Sequence, residues 1–194
     1  MKRVEQKEKR RQEILNAGLD LFIQKGYSAT RTAEIAKAVD MSEGLLFHYF
    51  ETKEKLYLAL IDIALSGKSK TFNLDAQTPL AFFENTAKYV LENCSRDLLI
   101  AKLFILMKYA ENDLTLSEEL RNEIIGQREL DIMIKMIKQG QKEKSIKNGN
   151  PLSLAMTFWA ALYGVVENIA RNPDLPVPKY EWFVDILRNN ERHI

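Results

Sequence analysis

The stretch from Thr30 to Lys55 leaves the chain few folds to choose from. Thr30-Arg31-Thr32 opens a helix whose inner side is Ile35-Ala36, and Val39-Asp40-Met41 supplies a turn. Ser42 is placed to cap a second, very short helix through Gly44, Leu45, Leu46, Phe47 and His48. A serine hydroxyl there satisfies an amide that the first helical turn leaves orphaned. Tyr49-Phe50 ends this helix, and Thr52 caps the next, with Lys53, Glu54 and Lys55 in its first turn. Two helices joined by so tight a turn form the helix-turn-helix, whose second helix enters the DNA major groove. Helices this short cannot bury a core alone. The amphipathic helix that begins near Arg10 must clamp them, with Ile14, Ala17, Gly18, Leu21 and Phe22 at helical spacing and Leu15 and Leu19 widening the stripe. Gly26 then takes the C′ position.

On the short third helix, Leu46, Phe47 and Phe50 are expected inside, which leaves Glu43, Leu45, His48 and Tyr49 outside. Residues at the start of a recognition helix touch base edges. Glu43 can accept from a cytosine amine and Leu45 can touch a thymine methyl. His48 and Tyr49 can bond phosphate or a base edge, and Gly44 keeps the first turn slim. Lys53 sits at a helix N-terminus, where backbone amides and an ammonium together favour phosphate, and Thr30 and Thr32 start the preceding helix in the same way. The candidate DNA-binding set is therefore Thr30, Thr32, Ser42, Glu43, Gly44, Leu45, His48, Tyr49 and Lys53. Plainer readings stand beside these: Glu43 suits the helix dipole without DNA, Leu45 and His48 can simply be exposed, and Tyr49 can be core.

Gly26-Tyr27, Thr30, Ile35-Ala36, Met41-Ser42, Gly44, Phe47, Tyr49-Phe50, Lys53 and Leu56, in this order, resemble the TetR/AcrR family of bacterial transcription regulators. The resemblance covers roughly residues 10–60. Three positions depart from it: Asp40 stands where the family usually has Gly, Val39 where it has a smaller Ala, and Phe47 where it has Tyr, so a hydroxyl that could bond phosphate is missing. Aspartate tolerates the left-handed backbone better than most residues, so the turn survives. The resemblance implies a repressor that binds a pseudo-palindromic operator as a homodimer and is released by a small-molecule inducer.

The 194 residues are 46% hydrophobic, enough for a sizeable core in one or two domains. The net charge of +1 is no global polycation, but Lys2, Arg3, Lys7, Lys9, Arg10 and Arg11 outnumber Glu5 and Glu8 in residues 1–12. Beside the motif this basic arm suits phosphate; without it, a frayed, solvated terminus would serve as well. Residues 1–9 are expected to be disordered or a loose helical extension. Cys94 is the only cysteine, which fits a reducing cytoplasm and a buried thiol. No apolar core follows the basic start, so no signal peptide is expected, and no uninterrupted apolar run reaches ~18 residues, so no membrane span is expected either.

A fourth helix from Lys53 to Ser66, with Leu56, Leu60 and Ile63 as its stripe, bridges to the rest. Residues 71–78 form a connector that Phe72 and Leu74 suggest is packed. Thr78-Pro79 starts a fifth helix to Cys94, Ser95 caps a sixth to about Tyr109, and Ser117 caps a long seventh to Gln139. Asn150-Pro151 starts an eighth that ends near Asn172-Pro173, and a ninth runs from Lys179 to about Arg192. The fold class is all-α: an N-terminal three-helix helix-turn-helix domain (residues 1–52) and a C-terminal helical bundle (residues 53–194), about nine helices in all. By resemblance, the second unit binds the ligand and dimerises.

The eighth helix is apolar nearly all round, with Leu152, Ala155, Met156, Trp159, Leu162, Tyr163 and Val166 on one side and Leu154, Phe158, Ala161, Val165 and Ile169 on the other. A helix apolar on both sides is buried on both. One side can face its own bundle; the other fits a four-helix homodimer interface with the ninth helix, through Met156, Ala160, Gly164, Trp182, Phe183 and Ile186. A buried central helix of a monomer is the alternative. In the family the corresponding region surrounds an inducer pocket, which implies Phe83, Phe104, Met107, Met133, Trp159 and Tyr163 as its lining and an apolar or aromatic inducer. These residues also suit plain core. Glu111 or Glu167 could pair with a cationic ligand.

No metal-ligand cluster, phosphate-cradling glycine loop or nucleophile–base pair occurs, and the only histidines are His48 and His193. Neither an enzyme, a cofactor nor a bound metal is expected. The competing class is a helical adaptor, or a membrane-surface protein that uses the basic amphipathic start, with a vestigial DNA-binding head.

Overall fold

In the computed structural model, which describes residues 2–72, 76–125 and 127–190, the first helix starts at Lys2 and ends at Lys25 (α1). The basic arm is thus helical from Lys2, and residues 4–10 are exposed. The three following helices are α2 (Thr32–Ala38), α3 (Glu43–Tyr49) and α4 (Lys53–Phe72). Then come α5 (Pro79–Arg96), α6 (Leu98–Ala110), α7 (Glu118–Ile125), α8 (Gln127–Lys142), α9 (Pro151–Arg171) and α10 (Glu181–Asp185). The fold is all-α: no strand occurs among the described residues, and α7 and α8 flank residue 126, which lies outside them.

Two hydrophobic clusters hold these helices. The first joins Ile14, Leu15, Leu19 and Phe22 of α1 to Ile35 of α2, Leu46 of α3, and Leu56, Tyr57, Leu60 and Ile61 of α4. Leu103 and Leu106 of α6 and Ile124 of α7 complete it. The second joins Phe82 and Phe83 of α5, Ala101 of α6, Met133 and Ile137 of α8, Phe158 and Leu162 of α9, and Phe183 of α10. Full burial of each Leu or Phe stabilises by roughly 1.5–3 kcal/mol, so α6, which serves both clusters, ties the head to the bundle. Lys102 of α6 adds an ion pair to Asp20 of α1 at 2.5 Å. Gly18 sets how closely α1 meets α4: a Cβ there would stand 2.6 Å from Cδ2 of Leu56.

The caps form as the spacing predicts. The Leu45, Lys55, Ala81 and Ser153 amides donate to the side chains of Ser42, Thr52, Thr78 and Asn150. One cap differs. α5 runs on to Arg96, the Ser95 hydroxyl bonds the Glu92 carbonyl, and Asp97 caps α6 by accepting from the Leu99 amide at 2.9 Å. On α4 the buried line is Leu56, Tyr57, Leu60, Ile61 and Ala64, and Ile63 is exposed. The last helix is shorter than its apolar spacing predicts. Beyond Ile186 the chain pairs with the stretch after α8, as Lys147 donates to the Leu187 carbonyl at 2.9 Å and Asn189 to the Ser145 carbonyl at 3.0 Å. Those bonds require extended backbone. The packing expected of the Phe72 and Leu74 side chains, and the expected helix end at Arg192 with His193, lie outside the described residues.

Asp40 has φ +50°, in the left-handed region. The backbone there costs a non-glycine residue energy, partly offset in aspartate. Asp40→Gly is expected to raise stability by about 0.5–1 kcal/mol, the relief exceeding the extra unfolded-state entropy. A denaturant midpoint at or below wild type would show that Asp40 makes compensating contacts.

Cys94 is buried in α5, and burial pushes its thiol up to about 12. The thiolate is the reactive form. Iodoacetamide at pH 8 should therefore leave folded protein unlabelled and modify it at the rate of unfolding. Labelling at the rate of a free thiol would contradict this burial.

Candidate nucleic-acid interface

The turn between α2 and α3 is closed by backbone bonds, with Val39 and Met41 both donating to the Ala36 carbonyl and Asp40 to that of Lys37, and the Arg10 guanidinium donates to the Val39 carbonyl at 3.5 Å. Glu34 supports the start of α2, accepting from the Arg31 amide at 3.2 Å and from Lys25 at 2.7 Å. The lysine bond, with the amide second, holds its carboxyl below the usual carboxylate range. Arg11 lies 4.9 Å from the centre of the Phe50 ring, so the basic arm braces the end of α3.

The orientation of α3 follows from Leu46, its fully buried residue. A helix turns about 100° per residue, so Gly44 and His48 face directly away from Leu46, and Leu45 and Phe47 flank it on opposite sides. Glu43, Gly44, Leu45, Phe47 and His48 are exposed, and Tyr49 is half-buried against the first cluster. Leu45 is 46% and Phe47 41% exposed. Phe47 is the correction here: expected inside, it stands on the outer surface. A helical wheel centred on Leu46 carries that signal. Ser42 is exposed at the cap, and the Thr32 hydroxyl donates to the Glu43 carboxylate, tying the start of α2 to the start of α3.

Thr30 does not belong to this surface. It is 2% exposed, and its hydroxyl is shared between the Gly26 carbonyl at 2.8 Å and that of Leu21 at 3.2 Å. It closes the end of α1, where Gly26 has φ +83°, and has no free face for phosphate. Lys53 is also engaged. Its ammonium lies 2.8 Å from the Tyr27 carbonyl, 2.9 Å from that of Thr30, and 4.3 Å from the centre of the Tyr27 ring.

Of the six residues expected around an inducer, Phe83, Met133, Phe104 and Trp159 belong to or pack on the second cluster, and Met107 packs on the first. Phe83 and Met133 are buried, Phe83 packing edge-on against Phe158 at 5.0 Å. Phe104, Trp159 and Tyr163 come together, the Trp159 and Tyr163 ring centres lying 5.5 and 5.8 Å from that of Phe104. Burial, with Glu167 nearby, pushes the Tyr163 phenol up. Glu167 pairs with Arg171 at 2.7 Å and Glu111 with Lys108 at 2.6 Å, each a neighbour in sequence.

On α9 the buried line is Ala155, Phe158, Leu162, Val166 and Ile169, which cuts across both expected faces. Leu152, Met156 and Ala160 are exposed, and Gly164 has open space where a Cβ would be. Met156 is 59% and Trp182 61% exposed, and Ile186 is half-buried. Phe183 is instead buried in its own second cluster, because α10 turns it onto α5 and α9. By length and composition α9 is apolar enough to cross a membrane; in this fold it packs against α5, α6, α8 and α10.

A short helix held by a buried leucine, with a glycine and a histidine outermost and a backbone-closed turn before it, defines a helix-turn-helix head on an α-helical bundle. Residues 14–60 match the family model described as bacterial regulatory proteins, tetR family. The HTH-type transcriptional regulator QacR of Staphylococcus aureus is 46% identical over 50 residues, 26% of this chain and 27% of QacR. The HTH-type transcriptional regulator RutR of Escherichia coli K12 is 31% identical over 152 residues, 76% of this chain and 69% of RutR. Among solved structures, AibR in complex with isovaleryl coenzyme A and operator DNA superposes with a TM-score of 0.64 at 22% identity, covering 91% of this chain and 94% of AibR. This chain belongs to the TetR family of bacterial regulatory proteins.

Proposed function

We propose that this regulator is a cytoplasmic, ligand-responsive repressor that binds a pseudo-palindromic operator as a homodimer. The observation that carries this reading is the outer face of α3, where Gly44 and His48 point away from the buried Leu46 and Leu45 and Phe47 flank them. Gly44 and His48 meet the base edges, Leu45 touches a thymine methyl, and Ser42, Thr32, Glu43 and Tyr49 border the groove. The division falls at α4: residues 1–52 read DNA and residues 53–194 bind ligand and dimerise. The stripe of α9 formed by exposed Met156 and Ala160 and half-buried Gly164, with Trp182 and Ile186, packs on its symmetry mate. Two heads then meet half-sites about 34–36 Å apart, or a multiple of that. A small apolar or aromatic inducer contacts the group of Phe104, Trp159 and Tyr163, and stabilises a head spacing that mismatches the groove.

The test is selection of bound duplexes from a random pool by purified protein at near-physiological salt. An enriched inverted repeat, favoured by ~10³ or more over other DNA, supports the reading. Folded dimer that enriches nothing overturns it and moves weight to a helical adaptor.

A further inference from the structure

Lys53 is where the expected role and the observed surroundings part most widely. Its ammonium is committed to the Tyr27 and Thr30 carbonyls and lies against the Tyr27 ring. An ammonium has three donors and no acceptor, so two are spent on backbone and the remaining charge faces a ring that attracts cations. Both carbonyls belong to the turn between α1 and α2. The Tyr27 ring packs, tilted, with its centre 4.5 Å from that of Tyr57 on α4, and the Phe22 ring of α1 lies edge-on 5.1 Å from Tyr57. The turn is therefore fixed both by aromatic rings and by Lys53, the first residue of α4. Moving Lys53 outward to a phosphate would strip both carbonyls of this donor and lift the cation off the ring.

We propose that Lys53 is a positioning residue and not a phosphate ligand: it locks the turn between α1 and α2 to the start of α4 and so fixes the angle at which α3 is presented. This rests on the reading of α3 as the DNA-contacting helix. Tyr57 also packs in the same cluster as Leu103 and Leu106 of α6. A displacement of α4 therefore reaches the head through the lock. Asp113, beyond α6, lies near the buried Tyr57 phenol and adds to the effect of burial in pushing it up.

Lys53→Met and Tyr27→Leu, singly and together, are compared with wild type in full-length protein. Binding to the selected operator and to a scrambled duplex is measured across a range of salt, normalised to folded fraction. Each variant should lose about tenfold or more in operator affinity. Scrambled-duplex affinity and the salt slope should stay at wild-type values, and the double variant should bind no worse than the weaker single one. A salt slope reduced by about one per head in Lys53→Met, with Tyr27→Leu binding normally, would overturn the proposal in favour of a phosphate contact. Unchanged operator affinity in both variants would overturn it in favour of no role beyond folding. A wild type that selects no operator is a failure of the functional reading instead. The lock is then read from hydrogen exchange of the amides at residues 26–32, which should quicken in both variants beyond any global change; unchanged exchange would overturn it.

Discussion

Met156→Asp should give a folded monomer that has lost high-affinity operator binding. Met156 is 59% exposed in the middle of the α9 stripe, between Leu152 and Ala160, so an aspartate there meets water in the monomer and disturbs no core. In a two-fold interface the same surface patch faces itself, so each carboxylate would be buried near its own copy. Burying an unpaired charge costs several kcal/mol, which raises the dimer dissociation constant by at least ~10²-fold. Losing the dimer also loses the bivalent advantage on a two-half-site operator, commonly 10²–10⁴-fold as an order of magnitude. Light scattering at micromolar protein reads the first effect, titration of operator DNA the second, and the thermal midpoint shows that the fold is intact. A variant that stays dimeric would place the interface away from α9.

What was legible in the sequence was local. Ser42, Thr52, Thr78-Pro79 and Asn150-Pro151 each announce a helix start because a cap is made within three residues of itself. The clamp by α1 was legible too, since Ile14, Leu15, Leu19 and Phe22 keep a helical period and all four are buried. What escaped depends on partners distant in sequence. The end of α10 is set by backbone bonds to residues 145 and 147, which no periodicity announces. Thr30 and Lys53 have the chemistry of phosphate ligands, but a hydroxyl or an ammonium satisfies a carbonyl as readily, and here the carbonyls of residues 21, 26, 27 and 30 are nearer. Hydrophobicity placed Phe47 inside, whereas the rotation fixed by Leu46 places it outside. Counting aromatics and methionines could not separate a cavity lining from core, and Phe83 and Met133 turned out to be core.

The second large effect is a stability gain joined to a binding loss, in Gly44→Leu. Gly44 lies in the first turn of α3, is exposed, and has nothing within 4 Å of where a Cβ would stand. Free protein therefore accepts the side chain without a clash and gains helix propensity, worth up to about 0.5–1 kcal/mol. On DNA the balance reverses. Gly44 and His48 are the outermost positions of α3, so a leucine at 44 stands between the helix and the base edges. Each half-site that loses its base contacts forfeits about 1–3 kcal/mol. A dimer carries the change twice, so operator affinity should fall by roughly 30-fold to 10⁴-fold while the denaturant midpoint holds or rises. Binding to unrelated duplex at low salt rests on phosphate contacts and should change far less. Wild-type operator affinity in the stabilised variant would mean that this face of α3 does not enter the groove, and the head would then have to read DNA through the start of α2 or the basic arm of α1.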